Sequence, residues 1–186
     1  MSGAAWYAAR AGGIVAFCLL SASVALGFLL AGRARFAWPR FAVEELHRTL
    51  SLLTGTFVVV HGGALLLDRV VPFSLGQELV PFTAGYRPVG VGLGVVSAEL
   101  LAAVAATNAL RRRIPHRVWR RAHYLTIPVW VGATAHVLLV GTDRGEGWLL
   151  TLVGLAVGSV ALCGLHRLDR ALPAPPAEGT TQRSTA

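Results

Sequence analysis

Five long apolar segments limit what this chain can fold into. They span residues 11–32, 49–67, 88–110, 122–142 and 147–165, and within them only Glu99 breaks a complete absence of Arg, Asp and Glu. An α-helix needs roughly 20 residues to cross a hydrocarbon core of about 30 Å. The sequence therefore predicts an all-α fold, a polytopic membrane bundle of five transmembrane helices, and leaves no room for a separate soluble domain among its 186 residues.

The charges are distributed unevenly between the connections. All 17 basic residues are arginine, and the formal net charge is +8. Most of the arginines follow the first, third and fifth segments, whereas the alternate connections hold only Arg69, Arg87 and Arg144. Cytoplasmic loops of membrane proteins carry such an excess. We expect a multi-pass protein of the plasma membrane with its N-terminus outside and its C-terminus in the cytoplasm, and no role in nucleic-acid binding.

Several other features have a structural interpretation. The connection 68–87 carries Pro, Phe and Tyr, and we expect it to lie as a lid on the outer interface. Cys18 and Cys163 are interpreted as small core hydrophobes. The glycine run at 90, 92 and 94 is attributed to close helix packing. Residues 171–186 are too polar and too short to bury a core, and are predicted to form a disordered cytoplasmic tail.

Four of the six histidines lie in or directly beside two of the apolar segments. His47 and His61 are 14 residues apart at the second segment, and His123 and His136 are 13 apart in the fourth. These two segments run in the same direction, so His47 matches His123 in depth and His61 matches His136. A rise of 1.5 Å per residue separates the two levels by about 20 Å. Facing imidazoles in a bundle core can hold a cofactor, and two such levels predict two stacked haems that transfer electrons.

The helical phase of the fourth segment does not fit this arrangement on an ideal helix. Fourteen residues return to within about 40° of the starting face, whereas thirteen leave the second histidine about 140° away. Pro128 lies between His123 and His136. A proline removes one backbone hydrogen bond and rewinds a helix locally, so we expect it to bring both imidazoles to the inner face.

Further polar groups accompany the histidines. Three arginines lie at the predicted cytoplasmic ends of the two histidine-bearing spans, namely Arg48, Arg120 and Arg121. Their guanidinium groups can pair with haem propionates. Alternatively, their position follows only from the excess of arginine in cytoplasmic loops. Glu99 lies near the middle of the third segment and is expected to be neutral, paired or facing a polar cavity. Its role is either proton relay or quinone contact, or a structural hydrogen bond. Four glycines could admit a macrocycle or pack helices, namely Gly55, Gly62, Gly63 and Gly132.

The histidine spacing and three local motifs point to a known family. The motifs are Leu-His-Arg-Thr-Leu at 46–50, Val-Pro-Phe-Thr-Ala-Gly-Tyr-Arg-Pro at 80–88 and Trp-Arg-Arg-Ala-His-Tyr-Leu-Thr at 119–126. With them, residues 1–170 resemble the ferric reductase-like transmembrane domain. That superfamily includes ferric reductases, NADPH oxidases and the haem-binding subunit of the periplasmic methionine sulfoxide reductase system. The resemblance implies two b-type haems, the inner one on His47 and His123 and the outer one on His61 and His136.

The chain departs from the full-length reductases, which continue into flavin and nicotinamide domains. The resemblance therefore implies a component of an oxidoreductase that takes electrons from a separate flavoprotein or a quinol. A ferric complex, oxygen or a partner protein such as a methionine sulfoxide reductase would accept them. A His-lined metal ion carrier is the alternative from another class, because neutral imidazoles also bind zinc, copper or iron. A third possible function is that of a structural membrane subunit in which the histidines are incidental.

Overall fold

The computed structural model describes residues 2–32, 34–68 and 73–172 as helices and short connections, with no strand among them. The helices are α1 (Ser2–Ala31), α2 (Arg40–Leu67), α3 (Leu75–Leu79), α4 (Pro88–Ala109), α5 (His116–His123), α6 (Thr126–Val140) and α7 (Gly147–Asp169). Five stretches are long and apolar enough to cross a membrane, with α5 and α6 counted together as one. The predicted five-span, all-α membrane fold is confirmed.

The first two spans begin earlier than the apolar segments do. α1 starts at Ser2, so that Arg10 lies within the helix, and α2 starts at Arg40 directly after Pro39. Proline is well suited to a helix start because its φ is already helical and it has no N–H to leave unpaired. A segment defined by the absence of charge therefore begins later than the helix does, because the helix extends into the polar interface, where charged side chains are solvated.

α1 is the central helix of the bundle. It packs against α2, α7 and α6, while α4 packs against α6 and α5 and barely touches α2. One core cluster joins α1, α6 and α7 through Leu20, Val24, Val129 and Val160. The bundle therefore consists of two groups of helices, α1–α2–α7 and α4–α5–α6, that meet where α6 lies on α1.

Several buried hydroxyl groups are hydrogen-bonded inside the bundle. The Trp130 indole N–H donates to Ser21 Oγ at 2.9 Å, which ties α6 to α1, and the Ser21 hydroxyl donates to the Phe17 carbonyl. Thr54 and Ser97 likewise donate to the carbonyls four residues earlier. Such pairing is required where water is absent, since an unpaired polar group in hydrocarbon costs several kcal/mol.

The fourth span is interrupted between α5 and α6. The amides of Leu125 and Ile127 bond to carbonyls only three residues earlier, at 3.0 and 3.1 Å. Pro128 has no N–H to offer the Tyr124 carbonyl, and the Ile127 amide bonds to that carbonyl instead. The helix therefore tightens immediately before Pro128, as the sequence predicts.

Two interpretations of the sequence are corrected or left open. Cys18 is exposed on the surface of the bundle and Cys163 is half-buried. The placement of Cys18 in the core is wrong, because Phe17, Leu20 and Ser21 take the inward face of α1. The predicted disordered tail begins at residue 171, but residues 173–186 lie outside the described part of the chain.

The contact at Gly90 gives a test of the α4–α6 packing. A Cβ there would lie 2.5 Å from Val140 Cγ2 and 2.9 Å from Leu139 Cβ, whereas a Cβ at Gly154 would meet nothing within 4 Å. Overpacking costs about 1–3 kcal/mol, and each kcal/mol lowers Tm by about 2–4 °C for a chain of this size. We expect Gly90→Ala to melt several degrees below Gly154→Ala in detergent. Both variants gain the same helix propensity, so equal melting temperatures would contradict the packing.

Candidate functional site

The structure brings four histidines together in two pairs. The ring centres of His47 and His123 lie 6.2 Å apart with their planes at 70°, and those of His61 and His136 lie 6.2 Å apart at 79°. We call these the inner pair and the outer pair. In each pair, α2 provides one ring and the span of α5 and α6 provides the other. These are the pairs that the spacing predicts, and their role as ligands stays a prediction.

Three of the four imidazoles are oriented by backbone carbonyls. The Nδ1–H of His47 donates to the Ser23 carbonyl at 3.0 Å, and the Nδ1–H of His136 donates to the Gly90 carbonyl at 2.9 Å. His61 donates in the same way to the Ala9 carbonyl at 2.6 Å. Such a hydrogen bond fixes the tautomer and leaves Nε2 free, as in metal-binding histidines generally.

A glycine follows each of these acceptor carbonyls at the fourth residue. A Cβ would lie 3.0 Å from His61 Nδ1 at Gly13, 3.3 Å from His47 Cε1 at Gly27 and 2.5 Å from His136 Nδ1 at Gly94. Residues four apart share a helix face, so each ring rests on bare backbone beside the carbonyl that it bonds. We call each such pair of residues a carbonyl–glycine seat.

Sequence reasoning missed these glycines. The four that it considered lie elsewhere: a Cβ at Gly55 or Gly63 would meet nothing within 4 Å, and the nearest groups at Gly62 and Gly132 are Glu78 and Ser97. The glycine run at 90, 92 and 94 packs as expected against α6 and the connection before α4, but Gly94 also contacts a histidine. One signal was available, because Gly13 and Gly27 repeat the 14-residue spacing of the histidines in α2.

His123 is held differently from the other three. Its Nδ1 is buried and has no hydrogen-bond partner among the residues described. Its ring stacks on Trp119 instead, with ring centres 5.4 Å apart and planes at 23°. His116, which the sequence gave no reason to single out, is exposed and lies 5.3 Å from the same indole.

A cavity of about 440 Å³ adjoins the outer pair. Both His61 and His136 line it, together with Gly13 and Gly94 of their seats. This volume is in the range of sites for small molecules and cofactors. Arg10 also lines the cavity and pairs with Asp143 at 2.7 Å, which joins the start of α1 to the connection before α7. Sequence reasoning missed Arg10 because it lies before the first apolar segment.

Part of the connection between α2 and α4 lines this cavity, and its role as a lid on the outer interface stays a prediction. Phe73, Glu78 and Tyr86 from it line the cavity, and the ring of Phe82 rests directly on Gly92. Burial raises the pKa of the Glu78 carboxyl, whose Oε1 has no hydrogen-bond partner in the described part of the chain. Residues 69–72, which include the first Val-Pro of this connection, lie outside the described residues.

The remaining candidates are exposed on the surface of the bundle. Arg48 is exposed with its guanidinium 3.3 Å from Glu45, and Arg120 and Arg121 are exposed on α5. Their contact with haem propionates stays a prediction. Glu99 is exposed and has no partner among the described residues. It lies two positions after buried Ser97, on the opposite face of α4. Among the described residues Glu99 is not paired and does not line the cavity, so these two of the three expected alternatives are not met.

Comparison with known proteins identifies the family. The family model for the ferric reductase like transmembrane component matches residues 12–134. The chain belongs to this family. The match contains His47, His61 and His123, and His136 follows two residues after it ends.

A similar curated protein is the bacteriochlorophyll synthase 44.5 kDa chain of Rhodobacter capsulatus, which is 28% identical over 153 residues. The match covers 81% of this chain but only 36% of that protein, so the chain spans about a third of its length. No solved structure matches the chain.

The contact between Phe82 and Gly92 tests whether this family member keeps its outer connection closed over the cavity. A side chain at residue 92 would occupy the place of the Phe82 ring, whereas a Cβ at Gly85 in the same connection would meet nothing within 4 Å. We expect Gly92→Leu to speed chymotrypsin cleavage after Phe82 and Tyr86 several-fold relative to Gly85→Leu. Equal cleavage rates would show that Phe82 does not hold the connection in place.

Proposed function

We propose that this protein carries electrons across the membrane through two b-type haems, one held by the inner pair and one by the outer pair. The separation of the rings supports this most directly. A metal–imidazole bond of about 2.0 Å plus about 1.1 Å from that nitrogen to the ring centre, taken on both sides, gives about 6.2 Å. Both pairs have this separation. Imidazoles hydrogen-bonded directly to each other would lie closer together.

The composition of the site favours haem over a bare metal ion. Zinc and most divalent ions need four or more ligands, and the described residues contain no group of three or more His, Cys, Asp or Glu placed to hold a metal. Two opposed imidazoles suffice only where another molecule supplies the remaining ligands, as a porphyrin does. The same observation weighs against the His-lined ion carrier.

The geometry of the chain also suits a flat cofactor between α2 and α6. α2 packs on α1, and close packing against α6 is absent from the described residues. The glycine seats hold three of the rings against the neighbouring helices through Nδ1. The Nε2 atoms of these rings are therefore left for the space between the two rings of each pair. A haem held by the two histidines of a pair would supply outer-sphere transfer of single electrons.

The proposed direction follows from the arginines. Their concentration after the first, third and fifth spans supports an orientation in which the inner pair lies on the cytoplasmic side of the plasma membrane. A flavoprotein or a quinol would supply electrons there, and a ferric complex, oxygen or an external protein would accept them at the outer pair. Delivery to a methionine sulfoxide reductase-type partner is the alternative within this family.

The haem-to-protein ratio of the protein purified in mild detergent tests the proposal. We expect two haems per chain and the reduced-minus-oxidised spectrum of low-spin b haem after dithionite, because both pairs can fill both axial positions. Cells grown with a haem precursor exclude a shortage of haem. Protein that is folded, as judged by a single gel-filtration peak, but contains no haem would refute the proposal.

Alanine variants of the histidines test the assignment of the pairs. His47→Ala and His123→Ala should each lower the ratio from two to one and leave the same haem behind. His61→Ala and His136→Ala should remove the other haem. The two variants of one pair should show the same residual haem spectrum. Variants of different pairs should show different residual spectra. His166→Ala is the control, because His166 lies at the end of α7 in neither pair, and it should keep both haems.

The carbonyl–glycine seats give an independent prediction. Gly13→Val should displace His61 and reduce the outer haem, whereas Gly27→Val should displace His47 and reduce the inner haem. Gly158→Val is the matched control, since a Cβ there would meet nothing within 4 Å. Haem content and the residual spectrum report the result. Loss of the same haem from Gly13→Val and Gly27→Val would contradict the seats.

A further inference from the structure

The carbonyl–glycine seats follow a regular spacing along the two helices that support the histidines. On α1 the seats are Ala9 with Gly13 and Ser23 with Gly27, which are 14 residues apart. On α4 the first seat is Gly90 with Gly94. The same spacing of 14 places a second α4 seat at Val104 and residue 108, at the level of His123.

This fourth seat is absent from the structure. The Val104 carbonyl accepts a hydrogen bond from the Thr107 hydroxyl at 2.8 Å, so its second lone pair is already used. Residue 108 is asparagine and not glycine, so its side chain projects where a ring would otherwise rest against bare backbone. The unpartnered Nδ1 of His123 is consistent with the loss of this acceptor.

Two other side chains occupy the position of the seat. The Trp119 indole N–H donates to Asn108 Oδ1 at 2.7 Å, which ties α5 to the end of α4. The indole then stacks on His123, and His116 covers it from the other side. Residues 116, 119 and 123 lie on one face of α5. The orientation of His123 is therefore set by a ring stack and one hydrogen bond, next to the break before Pro128.

We propose that Asn108 and Trp119 are positioning residues that orient His123 in the inner pair, in place of a carbonyl–glycine seat. This inference rests on the proposed function, in which the inner pair holds a haem. A stack fixes the plane of the imidazole but accepts no proton, so the His123 Nδ1–H is not polarised as it is in the other three rings. The inner and outer pairs thus differ in a way that spectroscopy can detect.

Three variants separate the stack from the hydrogen bond. Trp119→Leu removes both, Trp119→Phe keeps a stacking ring without its N–H, and Asn108→Ala leaves the indole without its acceptor. We expect Trp119→Leu to lower the haem-to-protein ratio from two towards one. Asn108→Ala and Trp119→Phe should both keep both haems and shift the low-spin electron paramagnetic resonance signal of the inner haem, because each loses the hydrogen bond but keeps a stacking ring.

The outer pair is an internal control in the same molecule. Its signal should be unchanged in all three variants, which also shows that each variant is folded. Val118→Ala is the matched control on α5, because Val118 is exposed next to Trp119 and should leave both signals unchanged. An unaltered inner signal in Asn108→Ala and Trp119→Leu would overturn the inference while leaving the proposed function intact. Absence of haem from the unmodified protein would instead refute the proposed function.

Discussion

Three of the four imidazoles in the two pairs hydrogen-bond through Nδ1, which leaves Nε2 available as a ligand. In this protein the acceptors are main-chain carbonyls of α1 and α4, each of which already accepts a helical hydrogen bond and has one lone pair left. The ring can reach that lone pair only where the residue one turn later has no side chain. Much of the bundle depends on this requirement, because it brings α1 close to α2 and α4 close to α6.

The two pairs differ in their surroundings as a result. The outer rings both rest in seats beside a cavity that is lined in part by the connection between α2 and α4. The inner pair has one seated ring and one stacked ring, and it lies near the exposed arginines of α5. The outer pair is therefore the more enclosed, and the inner pair is the one whose geometry depends on side chains.

Much of the fold could be predicted from the sequence because the membrane restricts it. Segment length and the positions of the histidines predict five spans and two pairs, and Pro128 predicts the rewound segment that brings His123 and His136 to one face. The helix ends could not be predicted, since α2 continues into polar sequence as far as Arg40. The seats could not be assigned either: the spacing of Gly13 and Gly27 is visible, but which helix they support depends on how α1 packs.

The division of the bundle into two groups has a consequence for assembly. α2 belongs with α1 and α7, while α5 and α6 belong with α4, and the groups meet mainly where α6 lies on α1. Each histidine pair takes one ring from each group. Any ligand that bridges a pair binds only the joined form, and its binding free energy adds to the stability of that form. Binding of a bridging ligand would therefore strengthen the contact between the two groups, and its removal would weaken that contact.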